Sequence, residues 1–185
     1  MKKTIYALCS AAAVIYSIYY ASLGGFRGNS GALSKIGLSH PVLFIIWGAI
    51  TFISLFILIC AAYSKTQYKF HKYLLIISFL GMLLTIFFDF DYNEKVQYYL
   101  HCSGSLTFSV VTGITVLLLF YLTKRYILAG ICLAVLITDF ILLLIFKETA
   151  LIELFPIFSG YILLNIFIFK SKEKKLEVKQ NAQIS

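Results

Sequence analysis

Apolar runs of about twenty residues recur along this chain with almost no charge inside them, and nothing else in it limits the fold so strongly. A helix needs about 20 residues, rising 1.5 Å each, to cross roughly 30 Å of hydrocarbon. The runs are continuous rather than alternating, which favours helices over the strands of a transmembrane barrel. Hydrophobic residues make up 61% of the chain and charged ones 13%, with a mean hydropathy of +0.91, which excludes an ordinary soluble protein. Six spans can be drawn, at about 4–23, 41–63, 73–90, 98–122, 126–146 and 150–169, followed by a basic tail over 170–185. Short connections force neighbouring helices to run antiparallel. The expected fold is therefore all-α: a polytopic membrane protein built as one compact bundle of six transmembrane helices.

The basic residues orient that bundle. Lys2 and Lys3, the second loop (Lys65, Lys69, Lys72), the fourth loop (Lys124, Arg125) and the tail (Lys170, Lys172, Lys174, Lys175, Lys179) would all share one side. The opposite side would hold only Arg27, Lys35, Lys95 and Lys147. The positive-inside rule then makes both termini cytoplasmic, and a plasma (inner) membrane location is expected. This topology also accounts for the net charge of +8, so no nucleic-acid partner is called for. Tyrosines fall near both sets of span ends, as rings with one polar tip prefer. The first span follows Met1-Lys2-Lys3, a start shared with signal peptides, and Ser22-Leu23-Gly24 would suit cleavage. Its length and its four tyrosines (Tyr6, Tyr16, Tyr19, Tyr20) favour a retained anchor.

Most connections are short, but Gly24 to His40 is longer and rich in turn formers. Within it Ala32 to Gly37 can form a short helix lying in the interface, and Pro41 suits the first position of the second span, where its missing N–H costs nothing. The lysines at 170, 172, 174 and 175 set topology and can contact anionic lipid at about 1 kcal/mol per charge.

Chemistry is concentrated at the outer end. Phe88 to Lys95 carries Asp89, Asp91 and Glu94, and His101 follows about one turn inside the fourth span. Ser105 at i+4 and Thr112 at i+11 continue a polar stripe down one face, which is expected to turn inward. Gly104 and Gly113 allow close helix approach. Asp139, roughly 12 Å from the outer end of the fifth span, is costly in hydrocarbon unless it faces water or a partner. Glu153 opens the sixth span three residues before Pro156, where a kink is expected. These residues define a candidate polar pocket of His101, Ser105, Asp139 and Glu153. His71 is expected in a solvated loop on the opposite side. Cys9, Cys60, Cys102 and Cys132 occur singly, without CxxC spacing, and suit apolar packing. No GxSxG, P-loop, HExxH or dinucleotide-binding pattern is present, so neither a cofactor nor a metal is called for.

With these residues placed, the chain resembles the damage-regulated autophagy modulator (DRAM) family. That superfamily includes membrane proteins of GPI-anchor remodelling and is similar to an uncharacterised bacterial six-helix family. The family's Ile-Ser-x-x-Gly element before a proline is matched by Leu33-Ser34-Lys35-Ile36-Gly37 and Pro41. Its glycine-bearing third span is matched at Gly81. Its His-x-x-Gly-Ala opening of the fourth span, with Thr-Phe soon after, is matched by His101-Cys102-Ser103-Gly104-Ser105-Leu106-Thr107-Phe108, and Glu153 fits an early glutamate of the last span. Lys35 stands where an acid is usual, and Ser105 where alanine is. The resemblance covers about 30–170 and implies Ser34, Gly37, Pro41, His101, Gly104, Thr107 and Phe108 as signature positions. It also implies a role in lipid organisation or membrane trafficking.

The functional expectation is an integral membrane protein that binds or organises lipid, or regulates a membrane partner, without catalysis of its own. Membrane lipids are the expected partners, and a homo-oligomer or a membrane-protein partner stays open. A membrane-embedded lipid hydrolase or transferase using the outer polar groups, and a small transporter or channel subunit using Asp139, are the alternatives.

Overall fold

Among the described residues, the polar sequence between the apolar runs breaks the chain into seven helices. A computed structural model describes residues 2–26, 31–147 and 149–184, with side chains described for 4–26, 31–147 and 149–170. The helices are α1 (Lys2–Ser22), α2 (Leu33–Ser39), α3 (Pro41–Tyr63), α4 (His71–Phe87), α5 (Lys95–Leu122), α6 (Tyr126–Phe146) and α7 (Ala150–Ile184). Segments of α1, α3, α5, α6 and α7 are each long and apolar enough to cross a membrane. Helix α4, at 17 residues, is shorter. The chain is a multi-pass helical membrane protein.

Local chemistry explains where the helices start and stop. Pro41 opens α3, as expected from its missing N–H. Helix α4 ends at Phe87 rather than at 90, because Phe88 turns extended (φ −111°, ψ 136°) ahead of the acidic turn. There Asp91 accepts hydrogen bonds from the backbone and side-chain nitrogens of Asn93, both at 2.9 Å, the short-range bonding that makes Asp a turn residue. Helix α5 ends in a left-handed residue, Lys124 (φ 58°), with Arg125 N–H donating to Phe120 O at 2.8 Å and Lys124 N–H to Tyr121 O at 3.0 Å. These are the paired bonds of a Schellman stop. Helix α7 continues through Pro156.

The outside of the bundle is apolar. Ile127, Ile137, Phe140 and Leu144 are exposed, and α6 buries only Ala129 and Cys132. Hydrocarbon rather than water suits such a surface. Inside, a large core gathers Leu58, Ile59, Tyr63, Leu119, Phe120, Leu164 and Ile168, and a smaller one gathers Tyr20, Leu33, Ile36, Phe44, Trp47 and Leu154. Many polar groups in the interior find partners, as burial away from water favours, although Thr51 Oγ1, His71 Nδ1, Asp139 Oδ1 and Asn165 Oδ1 are buried without one among the described residues. Tyr63 donates to Thr115 O at 2.8 Å, and the Ser78 and Thr112 hydroxyls meet at 2.6 Å across α4 and α5.

Helices α4 and α5 approach most closely, through two glycines. A Cβ on Gly104 would stand 2.7 Å from Gly81 O, and one on Gly81 would stand 2.7 Å from Phe108 N. At one end of the bundle Lys65 Nζ donates to Ile168 O at 2.6 Å, joining the α3–α4 turn to α7. His71 belongs to this end but not to a solvated loop. It is buried as the first residue of α4, and its ring stacks on Tyr63 with centroids 4.3 Å apart.

Candidate functional site

The other end of the bundle is closed by α2. This short helix is not merely laid on an interface: Leu33, Ser34, Ile36 and Gly37 are buried. Three separate helices hold it. Leu33 N–H, one of the donors that a helix start leaves without an internal partner, donates to Glu153 Oε2 of α7 at 2.6 Å. Leu33 O accepts from the Tyr20 hydroxyl of α1 at 2.9 Å. Ser34 Oγ lies 2.8 Å from His101 Nε2 of α5. Gly37 gives room for Phe44, whose ring carbon would stand 3.0 Å from a Cβ there.

His101 is the centre of this end, at 1% exposure. Its Nδ1 is 2.8 Å from Phe88 O. A carbonyl can only accept, so Nδ1 carries the proton and donates. In the neutral ring this leaves Nε2 as a lone pair, to which the Ser34 hydroxyl donates. Phe44 stacks on the ring at 6.0 Å and Phe90 meets it edge-on at 5.2 Å, so both the tautomer and the orientation of His101 are fixed by its surroundings. Phe90 is itself 2% exposed. It anchors a turn whose flanking residues Asp89 and Glu94 are exposed.

Beneath α2 a cavity of about 470 Å³ runs among α5, α6 and α7. Its walls are apolar for most of their extent, with Leu136, Leu143, Ile157 and Leu163 among them. His101, Ser105, Asp139 and Glu153 all line it, and so does Ser34. Asp139 Oδ1 is buried and has no hydrogen-bond partner among the described residues. The volume falls within the 300–1,000 Å³ of small-molecule sites, and a mostly apolar lining with few polar groups is their usual chemistry.

Of the positions matched to family motifs, Ser34 and His101 are directly bonded, and Glu153 binds the backbone beside Ser34. Phe108 lines the cavity and Gly104 serves the α4–α5 contact. Thr107 is half-buried and Pro41 is exposed at the start of α3, and neither lines the cavity. Lys170 is exposed, whereas the side chains of Lys172, Lys174 and Lys175 lie outside the described residues. Glu148 lies outside them too. His40 is exposed between α2 and α3 and takes no part in the cavity.

Sequence reasoning missed the partners that hold the site. Tyr20, Phe44 and Phe90 sit where the sequence shows only belt or span residues. Phe90 alone carried a signal: an aromatic enclosed by two acids in a turn is too apolar for solvent. The fold and site define a multi-pass helical membrane protein with a mostly apolar, partly open cavity beneath a short, side-chain-tethered helix. No family model, curated protein or solved structure matches the chain.

Proposed function

We propose that this protein crosses the membrane six times with both termini in the cytoplasm, and that it holds the acyl chain of a membrane lipid in the cavity beneath α2. The observation that carries the lipid reading is the cavity itself. Its walls are mostly apolar along α5, α6 and α7, broken by Ser105, Ser109, Thr112, Asp139 and Ser159, while Ser34, His101 and Glu153 form a polar cluster at the α2 end. An amphiphile has that division of chemistry. The resemblance to the DRAM family supports the same class of ligand. Lys170, Lys172, Lys174 and Lys175, in the C-terminal part of α7, add attraction to an anionic leaflet of about 1 kcal/mol per charge.

The test is photo-crosslinking in nanodiscs with a phospholipid bearing a diazirine in its acyl chain. Ser109, which lines the cavity and is half-buried, is replaced by Trp to fill the space. Crosslinks on peptides covering 105–113 and 132–143 are expected to fall several-fold in Ser109→Trp, while those on the exposed face of α3 stay constant. Equal labelling in both proteins would remove the cavity as a lipid site.

One observation favours a second reading, a small transporter or channel subunit. Asp139 lines the cavity and its Oδ1 is buried without a partner among the described residues, and an intramembrane carboxylate commonly serves ion or proton movement. Proteoliposome uptake of protons or sodium that is unchanged in Asp139→Asn would sink it.

A further inference from the structure

The Ser34–His101 pair has the connectivity of a nucleophile and its general base, and we infer that Ser34 is an acyl-transfer nucleophile acting on an ester-linked lipid held in the cavity. The inference rests on the lipid reading above for its substrate, and on hydrogen-bond geometry for its chemistry.

Nucleophilic catalysis by serine needs three things in place: a hydroxyl hydrogen-bonded to a base, a base held in the right tautomer, and room for the carbonyl beside them. Ser34 Oγ and His101 Nε2 are 2.8 Å apart, inside the distance for proton transfer. The Phe88 carbonyl, 2.8 Å from Nδ1, keeps the proton on Nδ1 and so leaves Nε2 free to take one. A carboxylate does this in serine hydrolases of the Ser-His-Asp type; here a backbone carbonyl holds the position. Both Ser34 and His101 line the cavity, and Ser34, at 8% exposure against 1% for His101, is the one of the pair that an ester carbonyl would meet with its acyl chain along the apolar walls. Ser105, one turn further along α5 and lining the same cavity, is the next hydroxyl on that face and the candidate donor to the oxyanion.

The step balances with water as its co-reactant. Ser34 Oγ bonds to the ester carbonyl carbon as its proton passes to His101 Nε2. The bond from that carbon to the alkoxy oxygen then breaks, and the alcohol leaves with the proton from Nε2. Water attacks the acyl-Ser34 ester, gives its proton to Nε2, and the fatty acid is released as Ser34 Oγ recovers a proton. A second alcohol in place of water makes the same site a transferase. The aromatic packing of Phe44 and Phe90 against His101 keeps the base oriented through both halves.

A packing role alone would explain a buried Ser–His hydrogen bond, so the test must read nucleophilicity. Full-length protein in nanodiscs is treated with a long-chain alkyl fluorophosphonate, and adducts are mapped by peptide mass spectrometry. The expected result is one adduct, on Ser34, absent in Ser34→Ala and formed about a hundredfold or more slowly in His101→Gln, the scale of general-base assistance. Ser34→Cys keeps the side chain's size and should be alkylated by a long-chain iodoacetamide, which checks that the cavity opens to position 34. Thermal unfolding of each variant separates lost reactivity from lost fold. An unmodified Ser34 in folded protein would overturn the nucleophile, as would an unchanged rate in His101→Gln or an unreactive Ser34→Cys. If Ser34 stays unmodified while the diazirine lipid still crosslinks the cavity, the nucleophile falls and lipid binding stands. If the crosslinks also fail to depend on the cavity, both fall.

Discussion

At the scale of single residues, the contact between α4 and α5 depends on two positions that carry no side chain. A Cβ at Gly104 would meet Leu84 Cβ at 2.6 Å, Gly81 O at 2.7 Å and Thr85 N at 2.8 Å. Two of these neighbours are backbone atoms, which cannot rotate away, so relief requires the helices to part. Overpacking of this kind costs about 1–3 kcal/mol, more than the roughly 0.5–1 kcal/mol that alanine recovers over glycine within a helix. Gly104→Ala is therefore expected to lower stability in SDS titration of the purified protein by about 1–2 kcal/mol. Gly130 is the control, because nothing lies within 4 Å of a Cβ there, and Gly130→Ala should gain about 0.5–1 kcal/mol from helix propensity. Equal effects at the two sites would mean that close backbone approach does not hold this pair together. The role of Gly104 was legible in the sequence, since a small residue on the polar stripe of a span already implied close packing. That Gly81 is its counterpart was not derivable from spacing, because the two lie on different helices whose relative height only the folded bundle sets.

At the scale of elements, α2 illustrates what local pattern carries and what it leaves out. Ala32 to Gly37 announced a short helix, and a helix forms over Leu33–Ser39. Its burial was invisible, because the groups that hold it, Tyr20, His101 and Glu153, come from three other helices. Seven residues make an isolated helix unstable, so these tethers rather than propensity keep α2 formed. Glu153 supplies the charged one, and a hydrogen bond to a charged group is worth about 1.5–3 kcal/mol. Removing it in Glu153→Ala should speed amide exchange over 33–39 by about tenfold or more, at 1.4 kcal/mol per tenfold. Tyr20→Phe removes a neutral bond, worth about 0.5–1.5 kcal/mol, and should have the smaller effect. Exchange that is unchanged in both variants would show that apolar packing alone docks α2. The four cavity residues were each legible as polar groups out of place in an apolar span. Ser34 stood out only as a motif position, because its hydroxyl gains chemical meaning from a histidine 67 residues away.

At the scale of the whole molecule, α4 decides the number of crossings, because among the described residues it is the apolar helix of intermediate length. Its 17 residues span about 25 Å at 1.5 Å each, at the lower limit of transmembrane helices. Its ends nevertheless reach both ends of the bundle. His71, at its start, stacks on Tyr63, next to the turn from which Lys65 bonds the end of the α7 span. Phe88, just past its end, accepts from His101 beneath α2. A helix joining those two landmarks runs the full height of the core beside α5. The charge pattern argues the same way. If α4 failed to cross, the acidic turn at 89–94 would share a side with Lys65, Lys69 and Lys72, and the bias that orients the helices would be diluted. Gln67 and Glu94 flank α4 and are both exposed, so they read the crossing directly. With the native cysteines replaced, Glu94→Cys should react with a membrane-impermeant maleimide on intact cells, and Gln67→Cys should react only after the membrane is opened. Reaction of both from outside, or of neither, would put the two residues on one side and remove α4 as a crossing. The reverse pattern would keep six crossings but invert them, placing α2, Ser34 and His101 at the cytoplasmic face and changing which leaflet supplies their lipid.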